Sequence, residues 1–107
     1  MEDRELLKIK IGNELKQKTE EMTTRQEMLD LLKKYDEYVL DYPEELSGYG
    51  NRSVVLEALG LYQLALNDLN VVTQMSPNLH RGWLNKALIM LRLGRLKEGW
   101  QYYEWRR

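Results

Sequence analysis

Residues 49–69, YGNRSVVLEALGLYQLALNDL, and residues 83–103, WLNKALIMLRLGRLKEGWQYY, carry one pattern twice at an interval of about 34 residues. We call the spacing from Tyr49 to Trp83 one period. Aromatic, polar, small and glycine positions coincide between the two copies. The matched pairs are Tyr49 with Trp83, Asn51 with Asn85, Ser53 with Ala87, Leu56 with Met90, Gly60 with Gly94, Ala65 with Gly99, and Leu69 with Tyr103. Self-similarity at a fixed period of this length indicates a repeat protein, whose units bury their apolar faces by stacking on one another.

Each copy predicts two amphipathic helices, because its apolar residues recur at spacings of three, four and seven. A glycine separates the two helices, and glycine readily takes the left-handed conformation that ends a helix. Small residues, Ser53 and Ala65 in the first copy, would let the paired helices approach closely. The expected helices cover about residues 47–59, 62–75, 79–93 and 96–106.

This pattern resembles the tetratricopeptide repeat (TPR), whose signature pairs an aromatic start to the first helix with a second helix that ends at a proline such as Pro77. The resemblance covers residues 49–106. It implies an all-α solenoid of helix-turn-helix units whose first helices line a concave groove. Arg52 and Lys86 stand where the family usually has an aliphatic residue, and Gly99 replaces the commoner alanine.

Residues 1–45 predict an earlier, degenerate unit. A charged helix over residues 2–22 carries an apolar stripe that we expect to pack onto the next helix. Thr24 followed by Glu27 is a capping box, so a second helix should begin there and continue to about Asp41. The stripe consists of Leu7, Ile11, Leu15 and Met22.

Three units therefore divide the chain into residues 1–45, 46–79 and 80–107: a degenerate helical pair followed by two clear repeats. Pro43 supports the first division because it lies one period before Pro77. About three stacked units are needed before such a solenoid is stable, which gives the degenerate unit a physical role.

Composition excludes several classes of protein. The 107 residues contain no cysteine, so disulfides and thiolate metal sites are excluded and a reducing cytoplasm is the plain interpretation. No apolar run approaches the roughly 20 residues of a membrane span. The net charge of −1 hides an asymmetry: residues 1–45 carry 8 basic and 13 acidic side chains, and residues 46–107 carry 8 basic and 4 acidic.

The sequence offers no catalytic constellation, cofactor motif or metal set. His80 is the only histidine, at a predicted helix start, and we expect a surface or helix-terminal role for it. The acidic pairs are adjacent in sequence and diverge by about 100° on a helix, so we expect solvated faces rather than an acid/base dyad. These pairs are Glu20 with Glu21, Asp36 with Glu37, and Glu44 with Glu45.

The resemblance implies a peptide groove along the first helices of the repeats. Asn51 and Asn85 are equivalent, and an amide both donates and accepts hydrogen bonds, so the pair could hold a peptide backbone. They are similar to the asparagine ladder in the TPR domain of O-linked glycosyltransferases; the alternative is that they are ordinary polar residues of a helix face. The expected groove residues are Asn51, Val54, Glu57, Ala58, Arg81, Leu84, Asn85, Leu88 and Arg92, with Arg81 and Arg92 available to a carboxylate.

Residues 98–106, EGWQYYEWR, are similar to a bacterial form of the repeat that often precedes a sugar-transferring domain. That domain is not in this sequence, so no transferase activity follows. The aromatic helix predicts a docking face that a second copy in a homodimer, another protein or a further part of the chain would cover; the alternative is core and end-face packing. Its residues are Trp100, Tyr102, Trp105 and Arg106.

We therefore predict a cytoplasmic bacterial protein-interaction module, without enzymatic activity, that binds an extended or helical peptide segment. One alternative is a fragment of the N-terminal interaction region of a bacterial glycosyltransferase. A second alternative is nucleic-acid binding through the basic half. The sequence argues against it, because the basic residues are spread over several faces.

Overall fold

The computed structural model describes residues 2–94, which form five α-helices. The helices are α1 (Glu2–Glu21), α2 (Arg25–Asp41), α3 (Leu46–Ala58), α4 (Tyr62–Met75) and α5 (His80–Arg92). Each packs against its neighbours along the chain, most extensively α3 against α4, and α1 also reaches α3. No β-strand occurs within residues 2–94. The predicted all-α fold is confirmed for this part of the chain, whereas the helix expected over residues 96–106 lies outside the described residues.

The two predicted helix-ending glycines have a left-handed backbone, with φ of 78° at Gly60 and 80° at Gly94. Each follows a leucine, Leu59 or Leu93, whose N–H donates to the carbonyl oxygen four residues earlier over 3.0 Å. Residues with a Cβ atom rarely adopt such φ values. The same register position therefore ends the first helix in both repeats.

Hydrogen bonds at the starts of α3 and α5 also recur with the sequence period. The Tyr49 hydroxyl donates to the Pro43 carbonyl oxygen over 2.9 Å, and Trp83 Nε1 donates to the Pro77 carbonyl oxygen over 2.8 Å. Each aromatic residue thus ties the first helix of its unit to the end of the preceding unit. This explains why an aromatic residue and a proline recur together in the sequence.

Successive units stack through a pair of glycines that the sequence analysis did not match. A Cβ atom on Gly48 would lie 3.1 Å from the Tyr38 ring of α2, and one on Gly82 would lie 3.1 Å from the Val72 side chain of α4. Both members of this contact recur one period apart. The first helix of each unit therefore approaches the second helix of the preceding unit at a glycine.

The residues that depart from the family pattern place a cation near the aromatic residue three positions earlier. Arg52 Cζ lies 5.9 Å from the centroid of the Tyr49 ring, and Lys86 Nζ lies 5.0 Å from that of Trp83. Arg52 also donates two hydrogen bonds, of 2.9 and 2.7 Å, to the buried carboxylate of Asp68 on α4. A cation at this position stabilises the fold through its aromatic and ionic partners, whereas an aliphatic residue would stabilise it by burial.

Two apolar clusters share α3, whose adjacent residues Val55 and Leu56 belong to different clusters, and Leu32 of α2 packs against both. Burying side chains of this size stabilises the fold by roughly 1.5–3 kcal/mol each. The first cluster contains Leu15, Leu31, Tyr35, Tyr38, Tyr42 and Val55, and the second contains Leu56, Ala65, Leu66, Leu69, Ile89 and Met90.

The first hairpin, formed by α1 and α2, follows its prediction at the turn. Thr24 Oγ1 accepts from the Glu27 N–H over 3.1 Å, and Glu27 Oε1 accepts from the Thr24 N–H over 2.9 Å. The capping box is confirmed, and α2 ends at Asp41 as expected. The division of the chain at residues 45 and 79 stays a prediction.

The predicted apolar stripe of α1 is only partly correct. Leu15 is buried, and Ile11 and Met22 pack against the first cluster, but Leu7 is 50% exposed. Lys8 is buried instead, at 8% exposure. The ammonium group of a lysine needs ionic partners at such a position, and these come from Glu5 on α1 and from the loop between α2 and α3.

Two cations of α1 bind the acidic loop between α2 and α3. Lys8 Nζ lies 2.9 Å from Glu5 and 3.2 Å from Glu45, and Arg4 Nη1 lies 3.2 Å from Glu44. The hydrogen bond from Arg4 lowers the pKa of Glu44, and the bonds to Glu5 and Glu45 raise the pKa of Lys8. Glu44 and Glu45, which we expected to be solvated, also form ion pairs that hold the first half of α1 against the loop between α2 and α3.

Candidate functional site

Two connected clefts lie between α3 and α5. The larger has a volume of about 350 Å³ and the smaller about 90 Å³, and Val54, Leu69 and Asn85 line both. We call the continuous surface the groove. Its lining residues are Lys16, Glu45, Leu46, Ser47, Gly50, Asn51, Ser53, Val54, Glu57, Leu69, Val72, Leu79, Arg81, Gly82, Asn85, Leu88 and Ile89.

Most of the residues expected in a peptide groove lie along these clefts. Ala58 and Arg92 line neither cleft and are exposed near the ends of α3 and α5. Leu84 also lines neither; it lies about 100° around α5 from Asn85 and is half-buried. The structure brings the remaining six together in the groove: Asn51, Val54, Glu57, Arg81, Asn85 and Leu88.

The two equivalent asparagines lie on neighbouring first helices and both line the larger cleft. Asn51 and Asn85 are half-buried, and neither amide has a hydrogen-bond partner among residues 2–94. A half-buried amide that lacks a protein partner loses some hydration without compensation. Both side chains can therefore donate to and accept from a ligand in the groove.

Two cations of the groove are also without an ionic partner in the described part of the chain. Lys16 reaches the larger cleft from α1, and Arg81 reaches it from the first turn of α5. The carboxylate that lines the same cleft, Glu45, is already paired with Lys8. The unsatisfied charge of the larger cleft is consequently positive.

The smaller cleft differs, because Glu57 of its lining forms an ion pair with a residue of α5 just outside the cleft. Arg92 Nε of α5 lies 3.1 Å from a Glu57 carboxylate oxygen of α3, and the Arg92 guanidinium lies 5.8 Å from the centroid of the Tyr62 ring. Arg92 is thus occupied by residues of its own chain rather than available to a ligand carboxylate. The second cation that is available to a ligand carboxylate, beside Arg81, is therefore Lys16, which was not predicted from the sequence.

The repeat register could have identified Lys16. It lies one period before Gly50 and two periods before Leu84, so it occupies on α1 the position that Gly50 occupies on α3. The groove was predicted from the two clear repeats alone, and extension of the register into the degenerate unit would have added it.

The other predicted features either lie outside the described residues or show no sign of a functional site. The proposed docking residues Trp100, Tyr102, Trp105 and Arg106 lie outside residues 2–94. His80 is exposed at the first residue of α5, and no group of three histidine or acidic side chains that could hold a metal ion occurs in the described chain. No helix of the described residues is long and apolar enough to cross a bilayer.

No family model and no curated protein matches this chain. Among solved structures it is similar to the TPR2B domain of yeast Sti1 in its pHsp70 complex, with a TM-score of 0.75, 24% identity, and coverage of 91% of this chain and 78% of that one. It is also similar to the TPR2AB domain of yeast Sti1 in its pHSP90 complex, with a TM-score of 0.75, 23% identity, and coverage of 92% and 38%. The chain therefore has a TPR-like fold.

Proposed function

We propose that this chain is a protein-interaction module that binds a peptide segment in the groove between α3 and α5. The observation that carries the proposal is the pairing of two unpartnered amides with two unpartnered cations, within the described residues, along one open cleft. The similar Sti1 structures are complexes of TPR domains with pHsp70 and pHSP90, which supports a binding role for the same fold.

The electrostatics of the larger cleft favour a peptide that carries a carboxylate. Lys16 and Arg81 would each donate a charge-assisted hydrogen bond to it, and such bonds are roughly twice as strong as neutral ones. Asn51 and Asn85 would bind the peptide backbone, because an amide matches both the N–H and the carbonyl of a peptide group.

The apolar part of the groove favours a ligand with at least one aliphatic side chain. Val54 is 42% exposed and Leu88 is 39% exposed, each on the wall of a cleft. Covering such surface contributes roughly 25 cal/mol per Å² of apolar area. An acidic peptide with interspersed valine or leucine is therefore the expected ligand class.

Fluorescence polarisation with a labelled octapeptide of alternating aspartate and valine, with a free carboxyl terminus, would test this proposal. We expect saturable binding that weakens as salt rises. Lys16→Ala and Arg81→Ala should each reduce the affinity roughly tenfold or more, since each removes one charge-assisted bond. Lys10→Ala is the matched control, because Lys10 is an exposed lysine of α1 outside the groove.

Two further peptides locate the carboxylate that is recognised. Amidation of the carboxyl terminus tests the terminal group, and replacement of aspartate by asparagine tests the side chains. Asn51→Ala with Asn85→Ala should weaken every peptide to the same degree if the amides bind the backbone. Binding that tolerates the loss of both Lys16 and Arg81 would place the peptide elsewhere and reject the groove.

The cellular location, the bacterial source and the glycosyltransferase context that the sequence predicts are also part of this proposal. We infer a cytoplasmic bacterial protein, and residues 98–106 carry the resemblance to repeats that precede bacterial O-linked glycosyltransferase domains. A full-length sequence that continues past Arg107 into a sugar-transferring domain would support that context. Nucleic-acid binding is disfavoured, because Arg52 and Arg92 of the basic half are engaged with carboxylates of the same chain.

A further inference from the structure

The outer side of the first hairpin is an exposed charged surface that the groove does not include. It is a shallow cleft of about 300 Å³ between α1 and α2, with Leu15 and Tyr38 at its base. Its rim is formed by exposed residues, and we call it the leading face. The rim residues are Glu14, Lys18, Lys34, Glu37 and Asp41.

The repeat register shows which contacts this face would make. Glu14 lies one period before Gly48, and Lys18 lies one period before Arg52. In α3, Gly48 packs on Tyr38 of the preceding unit, and Arg52 forms an ion pair of 3.1 Å with Asp36 of that unit. The leading face is therefore the surface on which the second helix of another unit would stack.

The second interface between units repeats the first. A Cβ atom on Gly82 would lie 3.1 Å from Val72 and 3.5 Å from Thr73, and one on Gly48 would lie 3.4 Å from Val39 in addition to its contact with Tyr38. The partners of the glycine are thus the residues at positions 38 and 39, then 72 and 73. One further period places Arg106 and Arg107 at these positions.

Extension of the register brings opposite charges together. Arg106 and Arg107 would meet the position of Glu14, which replaces the glycine on α1. The residue one period after Asp36 and Asn70 is Glu104, and it would meet Lys18, the counterpart of Arg52. Both contacts between the end of one chain and the leading face of another are attractive.

Two ammonium groups lie close together on the leading face, beside the rim carboxylates of Glu14, Glu37 and Asp41. Lys18 and Lys34 share the cleft, and each is without an ion-pair partner among residues 2–94. The proximity of Lys18 lowers the pKa of Lys34. An incoming carboxylate between the two ammonium groups would relieve this repulsion.

We propose that a second copy of this chain docks its residues 96–107 on the leading face, so that the chains assemble head to tail and continue the solenoid. The net charges of the two regions agree with this polarity: residues 1–45 carry −5 and residues 46–107 carry +4. A heterologous contact of this kind forms open chains, or rings where the rotation closes. The groove is separate from this contact, because none of its lining residues lines the cleft of the leading face.

Light scattering of the purified chain over a concentration series tests the proposal directly. We expect the mean mass to rise above the monomer mass with concentration, and to fall back as salt is added. Lys18→Glu should weaken the association roughly tenfold, because it exchanges an attraction for a repulsion with Glu104. Adding Glu104→Lys to the same chain should restore the association.

Lys33→Glu is the control for net charge, because Lys33 is an exposed neighbour outside the leading face. Restoration in the double variant, together with an unchanged mass for Lys33→Glu, would establish the contact. A monomer at every concentration would overturn the proposal. Equal effects of Lys18→Glu and Lys33→Glu, or failure of Glu104→Lys to restore the mass, would also overturn it.

Discussion

The first hairpin, α1 with α2, and the second hairpin, α3 with α4, follow the same register but differ in the chemistry at equivalent positions. Arg52 and Asp68 form an ion pair in the second hairpin, with nitrogen–oxygen distances of 2.9 and 2.7 Å. The equivalent residues of the first hairpin are Lys18 and Lys34, which repel one another. The register therefore conserves the geometry of the helices, whereas the polar side chains are free to change.

A second difference concerns the crossing of the paired helices. In the second hairpin, Ser53 of α3 and Leu69 of α4 are the buried residues at the crossing that we compare. Their equivalents in the first hairpin are Thr19 and Tyr35, whose hydroxyl groups are joined by a buried hydrogen bond of 2.7 Å. Tyr35 is larger than leucine, and its polar atom needs a partner once it is buried. The degenerate hairpin thus keeps the buried crossing of the repeat and adds a hydrogen bond to satisfy the altered side chain.

Of the substitutions that compare the two hairpins, Tyr35→Ala should cause the largest loss of stability. Tyr35 is 1% exposed, so its removal leaves a cavity and should cost roughly 3–5 kcal/mol in the free energy of unfolding. Leu69→Ala, at the equivalent position, should cost roughly 2–5 kcal/mol. Urea unfolding followed by circular dichroism measures both.

Leu40→Ala is the control for this pair, because Leu40 is 81% exposed and its truncation should change the free energy of unfolding by less than about 0.5 kcal/mol. A Tyr35→Ala variant as stable as the control would show that the first hairpin does not share the core of the repeats.

Asp68→Ala should produce the next largest effect, since it removes the buried partner of Arg52. The Asp68 side chain is 6% exposed and that of Arg52 is 21% exposed. Because Arg52 keeps Asp36 as a partner, we expect a cost of about 2 kcal/mol, below the full cost of a broken buried pair. Asp36→Ala removes an exposed partner and should cost less than about 1 kcal/mol. Equal losses in the two variants, measured by urea unfolding, would contradict the assignment of Asp68 as the principal partner.

The helices of the two clear repeats were predictable because their signals are local. Apolar spacing and a left-handed glycine determine α4, which covers Tyr62–Met75 as expected, and α3, which begins one residue before the predicted start at Ser47. The resemblance to the tetratricopeptide repeat implied a groove along the first helices, and six of the nine residues expected there line the clefts. Periodicity predicts which face of a helix a residue occupies, whereas only the resemblance indicates which helices would line a groove.

The attachment of α1 was not predictable, because its determinants are distant in sequence. Lys8 lies in the first helix and Glu45 lies beyond the second, and no periodic pattern identifies them as partners. From helical periodicity we expected Leu7 to be buried, and this pattern predicted no role for Lys8. The burial of a lysine depends on specific carboxylates that the fold brings near it, and apolar spacing does not contain this information.

The acid dependence of stability should distinguish the attachment of α1 from the stacking of the repeats. Arg4 lowers the pKa of folded Glu44, so the stability that this pair contributes is complete above the ordinary pKa of 4.5. That contribution is lost as the pH falls from this value through the pKa of the folded state. The thermal midpoint of Glu44→Gln should therefore lie below that of the unmodified chain at pH 7, and the two should converge in acid.

Glu20→Gln provides the comparison for Glu44→Gln, because Glu20 is exposed on α1 and has no ion-pair partner among residues 2–94. Its thermal midpoint should follow that of the unmodified chain at every pH. A Glu44→Gln curve that remains parallel to the unmodified curve down to pH 3 would contradict the role of the Arg4 pair.

The smallest expected effect comes from giving the first hairpin the charge pattern of the second. Lys34→Asp places a carboxylate opposite Lys18, as Asp68 stands opposite Arg52, and so exchanges a repulsion for an attraction. Because both positions are exposed, the thermal midpoint should rise only slightly, and added salt should remove the gain. Lys33→Asp carries the same change in charge and helix propensity one residue away, where the described part of the chain provides no such partner. If both variants shifted the midpoint equally, net charge would explain the result, and the equivalence of positions 34 and 68 would be geometric only.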